Sequence, residues 1–190
     1  MTKEETAVQV KQMQAGNQEA FDAIFAAYQQ KAVRTAAFIC GDTALAEDVA
    51  QEAFVNCLLH IQELQNSYGF ATWFFKILTR CAWKACKRQT AISIEDAVLP
   101  IESVWDSYPS EQRAEYENLY AAIQTLSTKQ RTVIILYYFN DFSIKEIAQI
   151  LTAPQATVKT RLFAAKHRLQ KTLAESTKNR EGAWQYEKQS

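Results

Sequence analysis

Lys76, Arg80, Lys84 and Arg88 recur every four positions, so on a helix they share one face. At about 1.5 Å per residue they reach over about 18 Å, enough to follow several phosphates of a polyanion. Trp73 and Phe74 stand at the start of this stripe and Trp83 within it. Rings among cations suit a polynucleotide strand whose bases unstack, because the rings offer stacking faces while the cations hold the backbone. The plain alternative makes Trp73 and Phe74 core residues. A second set lies near the C-terminus, where Gln155, Thr157, Lys159, Thr160, Phe163, Lys166 and Lys171 fall opposite an apolar side formed by Val158, Leu162, Ala165, Leu169 and Leu173. Short polar and basic side chains early in a helix can reach base edges, and cations farther along hold phosphates. Phe163, between Lys159 and Lys166, fits a thymine methyl or a sugar better than it fits water. The alternative is a basic helix packed on a neighbour through Phe163.

Nothing in the chain assembles a catalytic group. His60 and His167 are isolated and read as surface or packing residues, four glycines form no phosphate-cradling loop, and no Ser/His/Asp or metal-ligand spacing occurs. Cys40, Cys57, Cys81 and Cys86 show no C-x-x-C pairing. They predict reduced thiols rather than a zinc site or disulfide framework, with a redox role for Cys81 and Cys86, near Lys84 and Lys87, as the minor alternative. No catalytic residue, cofactor or metal is expected.

Charge supports the two basic surfaces. The chain has 21 Lys+Arg and 21 Asp+Glu among 190 residues, yet the signs are segregated. Residues 1–75 carry −5, 76–88 carry +5 without a single acid, 89–118 carry −6 and 119–190 carry +6. Two basic blocks separated by an acidic one suggest two polyanion-facing surfaces, which overall neutrality conceals. The longest apolar run, Val133 to Phe139, falls far short of the roughly 20 residues of a membrane span. The polar stretch Met1 to Gln18 carries no secretion signal, so a cytoplasmic chain without membrane insertion is expected.

The elements that must position these residues read as helices, since four Gly and three Pro are too few to punctuate a many-stranded sheet. Phe21, Ile24, Phe25, Tyr28, Val33, Ala36, Ala37 and Ile39 predict a helix or helix pair up to Gly41. Asp42 or Thr43 caps the next, with Leu45, Val49, Ala53, Phe54, Cys57, Leu58, Ile61 and Leu64 as its apolar face. Asp48, Gln51 and Glu52 stand on its other face, where Asp48 and Glu52 form an ordinary solvated acidic pair. After a bend at Asn66 to Gly69, a third helix runs from Phe70 to about Arg88. Periodicity then fades in an acidic stretch with Pro100 and Pro109, read as a linker. Helical spacing resumes near Arg113. Ser127-x-x-Gln130 reads as a capping box opening a helix through Tyr138, with a buried strand as the alternative for the apolar run. Ser143-x-x-Glu146 is a second capping box, with Phe142 placed to staple onto Ile147. Thr152-Ala153-Pro154 then joins a short helix to the basic one, the pattern of a helix-turn-helix. The polar tail from Glu175 is expected to fray.

In this order the motifs resemble the sigma-70 family of bacterial RNA polymerase initiation factors, in its small two-domain extracytoplasmic-function (ECF) form. Ala46-Glu47-Asp48-Val49-Ala50-Gln51-Glu52-Ala53-Phe54 resembles the acidic helix that binds the polymerase clamp, and Phe70-Ala71-Thr72-Trp73-Phe74-Phe75-Lys76-Ile77 the promoter-opening segment. Thr125-Leu126-Ser127-x-x-Gln130-Arg131, Glu146-Ile147-Ala148, Thr157-Val158-Lys159-Thr160-Arg161-Leu162 and Leu169 resemble the C-terminal DNA-reading domain. The resemblance implies an all-α fold: a region 2-like domain over 1–89, an acidic linker over 90–112, a region 4-like helix-turn-helix domain over 113–175 and a polar tail over 176–190. It further implies that Asp48, Gln51 and Glu52 contact core RNA polymerase, whose beta and beta-prime subunits are the partners. Trp73, Phe74, Lys76, Arg80, Lys84 and Arg88 would meet the minus-ten element of promoter DNA. Gln155, Thr157, Lys159, Thr160, Arg161, Phe163 and Lys166 would meet the minus-thirty-five element. An anti-sigma factor is a further implied partner, and no enzymatic activity is implied. The chain departs from the family at Arg80 and Lys84, where Asn and often Asp are usual, at Thr152 and Ala156, where Gly is usual, and at Ala164, where Arg is common. Two other classes stay open: an independent helix-turn-helix regulator, and a polymerase-binding decoy that does not open promoters.

Overall fold

The Thr2 hydroxyl accepts the Glu5 N–H at 3.1 Å while the Glu5 carboxylate accepts the Thr2 N–H at 2.8 Å, and this reciprocal cap starts helix α1, Lys3–Gln14. The computed structural model describes the backbone of residues 1–92 and 110–187 and the side chains of 1–89 and 117–175. All of the regular elements among these residues are helical. Helix α2, Gln18–Cys40, opens on Asn17 and is one helix rather than a pair. Asp42, not Thr43, caps α3, Thr43–His60, by accepting the Leu45 N–H at 2.9 Å. A tight turn at Ser67–Gly69 leads into α4, Phe70–Ile92. The second half comprises α5, Ser110–Gln124; α6, Thr128–Ile134; α7, Ile144–Ile150; and α8, Gln155–Glu187. The linker expected over 90–112 lies largely outside the described residues.

Three expectations change. The apolar run 133–139 is neither a strand nor a continuous α-helix: α6 ends at Ile134 and a π-type turn spans Ile135–Phe139. That wider turn keeps Ile135 and Leu136 buried while Tyr137, Tyr138 and Phe139 face out. The backbone of the tail, expected to fray from 175, is helical to Glu187, consistent with the absence of Pro and the good helix formers Lys178, Arg180, Glu181 and Ala183. Leu58, placed on the core face from its spacing, is exposed, because α3 turns its Val49, Ala53, Phe54 and Cys57 side inward.

The first half is held by a spine of rings. Phe74 lies 4.8 Å from Phe54, 5.8 Å from Phe70, 5.7 Å from Phe75 and 5.9 Å from Tyr28, between centroids. These rings join α2, α3 and α4, and their burial contributes to the stabilisation of this half alongside Ile24, Ile39 and Leu78. The second half buries Ile123, Leu126, Val133, Ile147, Ile150, Val158 and Ala165. The two halves share one apolar cluster. Phe38 packs on Tyr120 and Phe139 at 5.7 and 4.8 Å, and Phe75 on Phe142 at 5.1 Å. Polar bonds run between the halves: Asn140 Nδ2 donates to Thr35 Oγ1 at 3.1 Å, with both residues buried, and Trp83 Nε1 donates to Thr132 Oγ1 at 2.9 Å. Gly41 ends α2 at φ 77, and a Cβ there would come within 2.8 Å of Gln124 Oε1. Glycine thus serves both the turn and the close approach of α5.

Candidate nucleic-acid interface

Helix α4 buries Phe70, Phe74, Phe75, Leu78 and Ala82, so the stripe offset from them must face outward. Arg80, Lys84 and Arg88 are exposed and Lys76 is partly so. Trp73 is half-buried, packed 6.1 Å from Phe70, with part of its ring open at the N-terminal end of the stripe. Phe74 is 0% exposed. The sequence placed it among the base-stacking rings, and the structure corrects this: it is fully buried among four neighbouring rings, so it braces the site from within. Trp83 is half-buried and turns its indole N–H to Thr132 of the second half.

Two clefts flank the stripe. One, of about 440 Å³, is lined by Trp73, Lys76, Arg80 and Lys84 on one side and by Asn56, His60 and Glu63 on the other. Sequence reasoning passed over Asn56 and Glu63, and read His60 as a surface or packing residue. Only the α3–α4 packing brings them to the stripe; His60 Nδ1 and Glu63 Oε1 are 2.7 Å apart. The other cleft, of about 370 Å³, has Asp48 and Glu52 of α3 facing Lys84 and Arg88 of α4. Lys84 Nζ is 2.9 Å from Glu52 Oε1. The acidic face and the basic stripe, separate surfaces in the sequence, are therefore the two walls of one groove. Asp48, Gln51 and Glu52 are all exposed. Beside them Val55, Leu58 and Leu59 are exposed too, with Leu59 at 69%. An apolar strip next to three polar acceptors has the make-up of a protein-binding face.

The second basic surface is built by the helix-turn-helix. The Ser143 and Glu146 capping box starts α7, and hydrogen bonding from Ser143, partly opposed by burial, holds the Glu146 carboxyl below its ordinary pKa. Phe142, expected to staple the start of α7, has its ring against Phe75 of the first half. Thr152 turns the chain at φ 49, and α8 begins at Gln155 after Pro154. Val158 and Ala165 are fully buried, while Leu162, Leu169 and Leu173 are half-buried, so the inner seam is shallower than its spacing suggested. Gln155, Lys159, Thr160, Lys166 and Lys171 are exposed, Thr157 and Arg161 partly so, and Phe163 is 74% exposed. Phe163 is thus free of the neighbour contact offered as its alternative explanation. An apolar ring projecting between two lysines is costly to leave in water and suits a groove edge. Among the described residues no cluster of His, Cys, Asp or Glu could hold a metal.

Comparison with known proteins agrees with this layout. Residues 24–92 match the family described as Sigma-70 region 2, and residues 116–169 match Sigma-70, region 4. The chain is 30% identical over 182 residues to the ECF RNA polymerase sigma factor SigW of Bacillus subtilis (strain 168), covering 86% of this chain and 94% of that one. It is 28% identical over 174 residues to the ECF RNA polymerase sigma-E factor of Escherichia coli (strain K12), covering 84% and 89%. Its fold is similar to CnrH, solved in complex with the cytosolic domain of CnrY, with a TM-score of 0.70 at 20% identity, over 90% of this chain and 98% of that one. It is similar also to RpoE of Bartonella quintana, solved with the anti-sigma factor NepR, with a TM-score of 0.66 at 23% identity, over 81% and 96%. The two family regions, in this order on one helical chain, define a two-domain, helix-turn-helix transcription factor. The chain belongs to the sigma-70 family, as an RNA polymerase sigma factor of the ECF type.

Proposed function

We propose that this sigma factor divides its work among three surfaces. The α3 face of Asp48, Gln51 and Glu52, extended by Val55, Leu58 and Leu59, docks on the clamp of core polymerase. The α4 stripe of Trp73, Lys76, Arg80, Lys84 and Arg88 holds the opened minus-ten element, with Phe74 bracing Trp73 and its neighbours from the core. The outer face of α8, from Gln155 to Lys166, reads the minus-thirty-five element. The protein acts without catalysis of its own, contributing affinity and sequence choice to the polymerase. The observation that carries this reading is the exposed Phe163 among Lys159, Thr160 and Lys166, on a helix seated by a capped partner and a tight turn. Lys84 and Arg80, basic where the family usually carries Asn or Asp, favour phosphate holding over base selection on that part of the stripe. An anti-sigma factor completes the partner set by analogy with the NepR complex, and a cytoplasmic location fits a chain in which no described helix is long and apolar enough to cross a membrane.

Reversing Asp48 and Glu52 to Lys tests the polymerase face. Binding to core polymerase should be lost while the helical circular dichroism spectrum stays unchanged. Retained binding would contradict the assignment of α3.

A further inference from the structure

Helix α2 ends on Cys40, and α4 carries Cys86 across from it. Cys40 Sγ lies 3.9 Å from the Ala82 carbonyl oxygen, one turn before Cys86, and Cys86 Sγ lies 3.8 Å from the Ile39 carbonyl oxygen, next to Cys40. The two thiols therefore meet over the same patch of the α2–α4 contact, close enough for each to shift the other's titration. Both are half-buried. Cys81, named with Cys86 for a redox role from the sequence, receives a hydrogen bond from Asn56 at 3.8 Å.

A third group completes the arrangement. Arg131 of α6 reaches over the pair from the second half, held by Gln124 Oε1 and by the Leu126 carbonyl. Its Nε is buried with no hydrogen-bond acceptor among the described residues, and that burial lowers the guanidinium pKa. A buried Nε–H lacking an acceptor is costly even with the rest of the guanidinium held, and a thiolate beside it would offset that cost. The other ionisable groups facing the pair are Asp42 at the start of α3 and Tyr120 of α5.

We propose that Cys40 and Cys86 form a redox-active thiol pair, with Cys86 as the nucleophile and Cys40 as the resolving thiol, which a peroxide closes to a disulfide across α2 and α4. The neighbouring Cys40 lowers the Cys86 pKa, with Arg131 helping against desolvation, while Cys86 and burial raise Cys40. In the first step the Cys86 sulfur attacks one oxygen of hydrogen peroxide and the O–O bond breaks. The departing hydroxide takes a proton to become water, leaving a sulfenic acid. In the second step the Cys40 sulfur attacks the Cys86 sulfur and the S–O bond breaks. The Cys40 proton leaves with the hydroxide as a second water. Two thiols are oxidised and one peroxide is reduced. The closed bridge takes the thiolate from beside Arg131, so the oxidation state acts on α6, the helix whose Thr132 bonds to Trp83 of the first half.

The test is a hydrogen peroxide titration of the full chain, followed by alkylation, proteolysis and mass spectrometry. The first product expected is a peptide joined through Cys40 and Cys86. The Cys40→Ser chain should halt at a sulfenic acid on Cys86, trapped by a cyclic 1,3-dione. Cys57, whose thiol burial pushes up to about 12, provides a reference within the same molecule, and Cys86 should react at least about tenfold faster, as one pKa unit alone would give. Arg131→Gln should slow Cys86 and leave Cys57 unchanged. A first disulfide through Cys81 or Cys57, a bridge between two chains, or equal rates at Cys86 and Cys57 would overturn the proposal.

Discussion

Thr152 illustrates how a single residue can carry both a departure from its family and a structural cost. It holds φ 49 in the turn between α7 and α8, a conformation in which a β-branched side chain crowds its own backbone and glycine does not. Replacing it with Gly, the residue usual in the family, should raise the unfolding free energy by about 1 kcal/mol in denaturant titration. The helix-turn-helix would be unchanged. A loss of stability would mean that the Thr152 side chain makes up for its strain elsewhere. Identity and spacing pointed to the kinds of residue proposed to meet the DNA, but not to their depth. Trp73 and Phe74 are adjacent and chemically alike, and one is half-open while the other is sealed under Phe54, Phe70, Phe75 and Tyr28. Helical spacing puts Phe74 in line with Leu78 and Cys81 on the apolar side of α4, but how completely the ring is enclosed depends on packing from α2 and α3, which no local signal encodes.

Among the elements, the capped ones were the most legible. Both the Ser127–Gln130 and the Ser143–Glu146 boxes form as their sequences predict, because a cap is a local interaction complete within four residues. Helix α1 carried the same signature in Thr2-x-x-Glu5 and went unread, since its buried side, Thr6, Ala7, Val10 and Met13, is narrow and partly polar. It is fixed by a contact distant in sequence: Gln14 Nε2 donates to the Ile61 and Leu64 carbonyls at 2.9 and 2.8 Å. The π-type turn after α6 had no sequence signal; it resolves a conflict between burying Ile135 and Leu136 and turning the chain toward α7. Ser143→Ala should cost about 1 kcal/mol at neutral pH, because α7 loses its cap. Glu146 gives this loss a pH dependence. Its carboxyl is lowered in the fold, so its contribution is complete above the ordinary carboxylate range and disappears as pH falls through the lowered value. Urea titrations of both proteins should therefore diverge at neutral pH and converge in acid. An equal gap at both would remove Glu146 from the cap.

Over the whole molecule, the charge blocks anticipated two basic surfaces, and the structure adds how they are joined. The halves share one core, with Asn140 bonded to Thr35 and Trp83 to Thr132 inside it. These pairings lie about 50 to 100 positions apart in sequence and could not be read from it. The groove between α3 and α4 was equally hidden: Glu52 and Lys84, assigned to polymerase and DNA, touch each other. Under the proposed assignment the two partners would approach adjoining walls, as expected of a factor that presents DNA to the polymerase. In the proposed function the chain directs core polymerase to promoters through α4 and α8. Reconstituted transcription with core polymerase on pooled genomic fragments, with start sites mapped with and without the chain, tests it most directly. New starts should lie downstream of one shared pair of sequence elements, and they should vanish with Asp48 and Glu52 reversed. Polymerase binding without new starts would mark a decoy, and tight binding to palindromic DNA without polymerase would mark an independent regulator; either result would contradict the account.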